Sequence, residues 1–187
     1  MDDIELIKPI VLKLIEEAKQ DLHNKRGLLP KLNFILFNPY TKNAFNVEIP
    51  AKSLVGCDSY IALKAAIEDV WNRFQMVAPK ELPMGAAKLL CICFIIDSWR
   101  VKLKAKGKPI ELAAQEHKKK YGTVCNDPNK TDTIIGMIST ADAEYVGFYD
   151  YKKPRVDAKA EFTYEDPINF TKPLIKSVVG IKLYPGS

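Results

Sequence analysis

Four acids, Asp97, Glu111, Asp127 and Asp132, surround one cationic stretch of the chain. Carboxylates gathered in this way can hold a magnesium ion, which takes oxygen ligands. A small magnesium-dependent hydrolase or nuclease built on Asp97 is therefore one candidate activity. Asp97 with Glu116-His117-Lys118 also superficially fits an Asp…Glu-x-Lys nuclease pattern. That chemistry needs the Glu and the Lys side by side on a strand. Here both fall in a segment of helical character, where positions two apart point in different directions. Asp97-Ser98-Trp99 offers a second option. A carboxylate at the edge of the core beside an indole can have a raised pKa and serve as an acid or a base. The plainer role for such an Asp is to accept hydrogen bonds from a neighbouring loop.

Nucleophilic catalysis has less to stand on. A Ser or Cys nucleophile needs a base close by, and the two histidines, His23 and His117, are far apart in the chain. The sequence contains no Gly-x-Ser-x-Gly elbow, no His-Glu-x-x-His, no Walker loop and no Gly-x-Gly-x-x-Gly. The cysteines, Cys57, Cys91, Cys93 and Cys125, include no Cys-x-x-Cys pair, so a structural zinc site is not expected. Cys91 and Cys93 lie two apart in an apolar run; on a strand they share one face as buried free thiols. No cofactor is expected, and the balance leans away from an enzyme.

What remains points to binding. Between Arg100 and Lys130 nine Lys or Arg face three acids, a net +6 against +5 for the whole chain. Arg100, Lys102, Lys104 and Lys106 alternate along the chain, so on a strand they project from one face, where they could meet phosphates or an acidic protein surface. Aromatic residues do not interleave with them on that face, as stacking platforms for bases would require. Lysines also guard exposed strand edges against unwanted pairing, which is the plain reading of the stripe. Further on, Tyr145, Tyr149 and Tyr151 share a face with Gly147. Three tyrosines so placed could make a half-wet contact surface, or pack across strands inside the sheet.

The elements that position these groups follow from periodicity. Residues 3–22 carry Ile7, Ile10, Val11, Leu14, Ala18 and Leu22 at three- and four-residue steps, an amphipathic helix. Leu32–Phe37 and Ala44–Ile49 flank turn-forming residues, which predicts a hairpin. A second helix is expected over 59–77, with Leu63, Ala66, Ile67, Val70, Trp71 and Phe74 as its stripe. Leu89–Ile96 is continuously apolar, as a strand buried on both faces should be. It then alternates, with Trp99, Val101 and Leu103 on the core side and Arg100, Lys102 and Lys104 outside. A long strand leaving the core for a sheet edge accounts for both halves. Pro109–Tyr121 predicts a third helix, closed by Gly122. A second hairpin follows at Thr133–Ser139 and Glu144–Tyr151, then a strand over 158–164 and another over 174–183.

The sum is an α+β fold, a mostly antiparallel sheet of about six strands with three helices packed on it. Residues 1–187 form one domain, with 152–187 a proline-punctuated C-terminal arm that could lie over the body or on a partner. The longest apolar run, Leu89–Ile96, is far short of a membrane span, and the N-terminus lacks the pattern of a signal peptide. The expectation is a cytoplasmic interaction protein whose partner is another protein or a second copy, with nucleic acid at the 100–120 stripe as the alternative. Its Lys/Asn/Ile/Tyr-rich composition has the look of phage or mobile-element proteins, which would make it a component of a larger viral assembly and allow a virion location.

Overall fold

A computed structural model describes residues 3–24, 28, 30–50, 65, 69, 72–73, 87–104, 107–152 and 160–173. Helix α1 (Asp3–His23) opens the chain. Strands β1 (Lys31–Asn38), β2 (Asn43–Pro50) and β3 (Lys88–Arg100) follow, then helix α2 (Ile110–Tyr121). After a 3₁₀ turn at Val124–Asn126 come β4 (Thr131–Thr140), β5 (Glu144–Lys152) and β6 (Glu161–Asp166). The strands form one antiparallel sheet in the order β2-β1-β3-β4-β5-β6. The α+β class and the six-stranded antiparallel sheet agree with expectation. The described residues include two helices rather than three. The helix expected over 59–77 lies outside them except for Ala65, Asp69, Asn72 and Arg73, which are helical, and the strand expected over 174–183 lies outside them altogether.

Helix α1 covers one face of the sheet. It buries Ile7, Val11, Leu14, Ile15, Ala18 and Leu22 against Ile35, Cys91, Cys93, Ile95, Ile134 and Ile138. Pro9 stands inside the helix on its exposed side, and Pro has no N–H for the Glu5 carbonyl. An interior Pro costs about 3 kcal/mol; burial of a large aliphatic side chain contributes about 1.5–3 kcal/mol, and five such chains outweigh it. Ion pairs fix the helix at three points: Asp3 to Lys88 at 3.2 Å, Asp21 to Lys31 at 2.7 Å and Lys19 to Glu165 at 2.8 Å. The Lys19 ammonium also lies 4.8 Å above the Tyr149 ring. Burial alone would lower its pKa, but hydrogen bonds to Glu165 and Glu16 reverse that and raise it.

The turns are made by their own side chains. Asn38 Oδ1 accepts the backbone N–H groups of Tyr40 and Thr41, and Lys42 takes a positive φ of 56°. Thr140 Oγ1 accepts the N–H of Ala143 and donates to the Ala143 carbonyl. Gly136 and Gly147 stand directly opposite each other in β4 and β5. A Cβ on Gly136 would come within 2.8 Å of Ile15 Cδ1, and one on Gly147 within 2.8 Å of the Ile168 backbone nitrogen. The glycine pair is thus a notch that admits Ile15 from α1 and Ile168 from the segment after β6. In its described part, the chain beyond Ala160 supplies the edge strand β6 and then packs Ile168 and Phe170 against the core.

Two expectations about β3 fail. It is an interior strand, with β1 on one side and β4 on the other, and does not run to an edge. A run buried on both faces is what an interior strand needs, so the apolar stretch was evidence for the centre. The regular strand also ends at Arg100; residues 101–104 keep the alternation of exposure but lie beyond the start of β4, which pairs Thr131 with Arg100. Second, exposure does not follow the faces at Trp99 and Arg100, although Val101 and Leu103 are half-buried and Lys102 and Lys104 exposed, as expected. Trp99 is 42% exposed, whereas the Arg100 side chain is only 16% exposed. The cationic stripe therefore guards no edge. The edge strand β6 carries Glu161, Glu165 and Asp166 instead.

Candidate binding surface at the end of β3

The end of β3 brings together residues from four other parts of the chain, and its two faces do different work. On the face away from α1, Arg100 reaches across β4 to Asp150. Nε lies 2.6 Å from Oδ1 and Nη2 donates to Oδ2 at 2.7 Å. The Asp150 side chain is 4% exposed, and the guanidinium also lies 4.9 Å from the ring centres of both Phe148 and Tyr164. Planar guanidinium against carboxylate and rings is the geometry arginine suits best. Arg100 therefore locks β3, β5 and β6 together. Lys102 lies 3.9 Å from Asp150 Oδ2 and 3.9 Å above the Tyr164 ring, with its side chain 66% exposed. Lys104 is exposed, and Lys106 lies outside the described residues.

On the α1 face, Trp99, Asp132 and Tyr151 stand opposite one another. Trp99 Nε1 donates to Asp132 Oδ1 at 2.9 Å, and the Tyr151 hydroxyl donates to Asp97 Oδ1 at 2.6 Å. Burial, and then the Asp97 carboxylate, push the Tyr151 hydroxyl far above its ordinary range. This phenol is a fixed donor to Asp97, from strand β5 rather than from the neighbouring loop expected. Tyr145, Tyr149 and Tyr151 are all buried in the core; the face they share lies against α1, with Phe170 on Tyr145 and Phe162 on Tyr151.

The four acids of the metal reading do not come together as one group. Asp97 serves Tyr151 and Asp132 serves Trp99. Glu111 is exposed on α2. Asp127 faces His117, Nε2 to Oδ2 at 2.8 Å, and accepts the Asn129 backbone N–H at 2.7 Å. That backbone bond first, and then the imidazole, hold the Asp127 carboxyl below the usual carboxylate range. Among the described residues no three or more His, Cys, Asp or Glu form a group able to hold a metal ion. The Glu-x-Lys pattern disperses too, since Glu116 turns back to Lys108 at 2.7 Å.

Beyond the sheet stands α2. None of its residues is buried, Ile110 and Leu112 are exposed, and Lys118, Lys119 and Lys120 fill its last turn. Its C-terminal end runs into Trp99 through a short chain of contacts. The Lys120 ammonium sits 4.7 Å from the Tyr121 ring, and Asn126 Nδ2 donates to the Tyr121 carbonyl at 3.0 Å. Lys130 Nζ donates to the Cys125 carbonyl and lies 5.2 Å from the Trp99 ring. Cation and aromatic ring alternate along this path. Sequence order hides that, because Trp99, Tyr121 and Lys130 are separated by other elements.

Other residues were also missed. Asp150 left one signal: it is an acid on the strand face otherwise occupied by Val146 and Phe148, where a carboxylate needs a cation. Tyr164 and Lys130 left none. No protein-family model matches the chain, and neither a curated protein nor a solved structure matches it. Among the described residues no helix is long and apolar enough to cross a membrane.

Proposed function

We propose that the chain is a non-enzymatic interaction protein, a component of a larger assembly, and that it meets its partner through α2 and the lysines beside the end of β3. One observation carries this reading. Helix α2 has twelve residues and buries none of them. A helix of about 12–15 residues without packing is marginal in water, so this one draws little stability from the body. Yet it displays three consecutive lysines and two large aliphatic side chains. Lysines in a last turn do favour the helix dipole, by about 0.3–1 kcal/mol, but that leaves the exposed Ile110 and Leu112 unaccounted for. A surface retained at the expense of packing is what a binding site looks like.

The magnesium-hydrolase alternative receives no comparable support, since Asp97, Asp127 and Asp132 are engaged by Tyr151, His117 and Trp99 and Glu111 is exposed on α2. The test uses the full chain and a Lys118→Glu/Lys119→Glu/Lys120→Glu variant against a panel of immobilised polyanions, with turnover of nuclease and phosphodiester substrates followed in magnesium and manganese. Retention of the native chain and loss of the variant are expected. Metal-dependent turnover abolished by Asp97→Asn would overturn the proposal.

A further inference from the structure

We infer that the path from Trp99 to Lys120 is a site for single-stranded nucleic acid, with a base stacked on Trp99 and phosphates held by Lys118, Lys119, Lys120 and Lys130. The inference rests on the reading of this surface as a binding site and names its partner. Single-strand sites combine cations that follow the backbone with rings on which bases stack. Both parts are present here. Trp99 is a large ring, 42% exposed, and its indole N–H is fixed on Asp132, so the ring is oriented before anything binds. The Lys130 ammonium lies over the ring, 5.2 Å from its centre, so a base stacks on the rest of the exposed indole or displaces the ammonium, and Tyr121 with Lys120 repeats the pairing at the helix end. Lys118 and Lys119 are exposed on the same last turn.

An acidic protein surface would satisfy the lysines equally well. It would have no use for an oriented, half-exposed indole in line with them, and that ring favours nucleic acid. Arg100 is held by Asp150 and the Asn126 amide donates to the Tyr121 carbonyl, so both are engaged away from base edges. Binding should therefore depend little on sequence.

Fluorescence anisotropy of the full chain with labelled oligodeoxynucleotides and oligoribonucleotides tests this, with poly-glutamate as the control of matched charge. Affinity should fall with salt, with a log–log slope of about −3 if four lysines meet phosphates at about −0.7 each. Trp99→Leu should weaken oligonucleotide binding about tenfold, the loss of roughly one stacked base, and Trp99→Phe should restore most of it. Lys118→Gln/Lys119→Gln/Lys120→Gln should flatten the salt slope. The inference falls if Trp99→Leu binds oligonucleotides as the native chain does while the lysine variant is weakened. It falls equally if poly-glutamate binds as tightly as the oligonucleotides. In both cases the wider interaction reading survives. Failure of every polyanion to bind removes both.

Discussion

Gly136 and Gly147 show how much of this fold depends on atoms that are missing. Both strands approach another part of the chain more closely than any side chain allows, but the neighbours differ in kind. Over Gly136 the nearest atom is the tip of Ile15, which can rotate aside. Over Gly147 it includes the backbone nitrogen of Ile168, which cannot move without displacing the segment after β6. Gly147→Ala is expected to destabilise by about 1–3 kcal/mol, the usual range for overpacking, and Gly136→Ala by less. Urea unfolding of the two variants ranks them. The Arg100–Asp150 pair makes a second case. Its carboxylate is almost wholly out of water, so removal of one partner strands a charge. Arg100→Leu is expected to cost about 3–5 kcal/mol. The double variant Arg100→Leu/Asp150→Leu should recover a large part of that loss, because it removes both charges. If the double is as unstable as the single, the pair is not the source of the effect.

At the scale of elements, α1, both hairpins and the apolar half of β3 were readable, since their periods and turn residues are local. Asn38 and Thr140 make their turns with their own side chains, so nothing distant had to be known. The end of β3 was not readable for the opposite reason. Whether Trp99 or Arg100 faces solvent is decided by Asp150 and Tyr164, many residues away and across two strand pairings. The same holds for the tyrosines of β5: their shared face was plain, but that α1 covers it follows from topology. Helix α2 was placed within a residue, yet its lack of burial was hidden, because Ile110, Ala113, Ala114, His117 and Tyr121 trace an amphipathic stripe that the body hardly covers. A side-chain contact between α2 and the turn before β4 is His117 with Asp127. The folded state depresses the Asp127 pKa, chiefly through the Asn129 backbone N–H and then through His117, so the stabilisation is present above the ordinary carboxylate value, about 4, and lost as pH falls through the lower folded value. Amide exchange in α2 should quicken in that acid range while β4 stays protected. Asp127→Asn should bring the same quickening to neutral pH.

The whole molecule has a matching sensitivity at the alkaline end. Beneath α1 lie four weak acids that the fold keeps neutral: Cys91, Cys93, Tyr149 and Tyr151. Burial pushes the Cys93 thiol up to about 12 and the Cys91 thiol well up, with the neighbouring Cys93 adding to the latter. Burial likewise raises Tyr149, against a hydrogen bond with the Ile168 backbone that works the other way. All four shifts have one sign. Above the unfolded values, about 8.5 for Cys and 10 for Tyr, the unfolded chain releases protons that the folded chain retains. Stability is therefore complete below about pH 8.5 and declines as pH rises, by up to about 1.4 kcal/mol per pH unit for each group fully affected. The decline should begin in the thiol range and steepen in the tyrosine range. Below it, the thiolate fraction of Cys91 and Cys93 is too small to react, so iodoacetamide at pH 8 should leave the peptide carrying both unmodified until denaturant is added. Cys91→Ala/Cys93→Ala should start from lower stability, having lost core volume, but hold it to about pH 10. Urea midpoints measured from pH 7 to 11 on the two proteins would show the separation. Parallel curves would mean that the thiols are not protonated acids of the core, and that α1 does not seal this face from water.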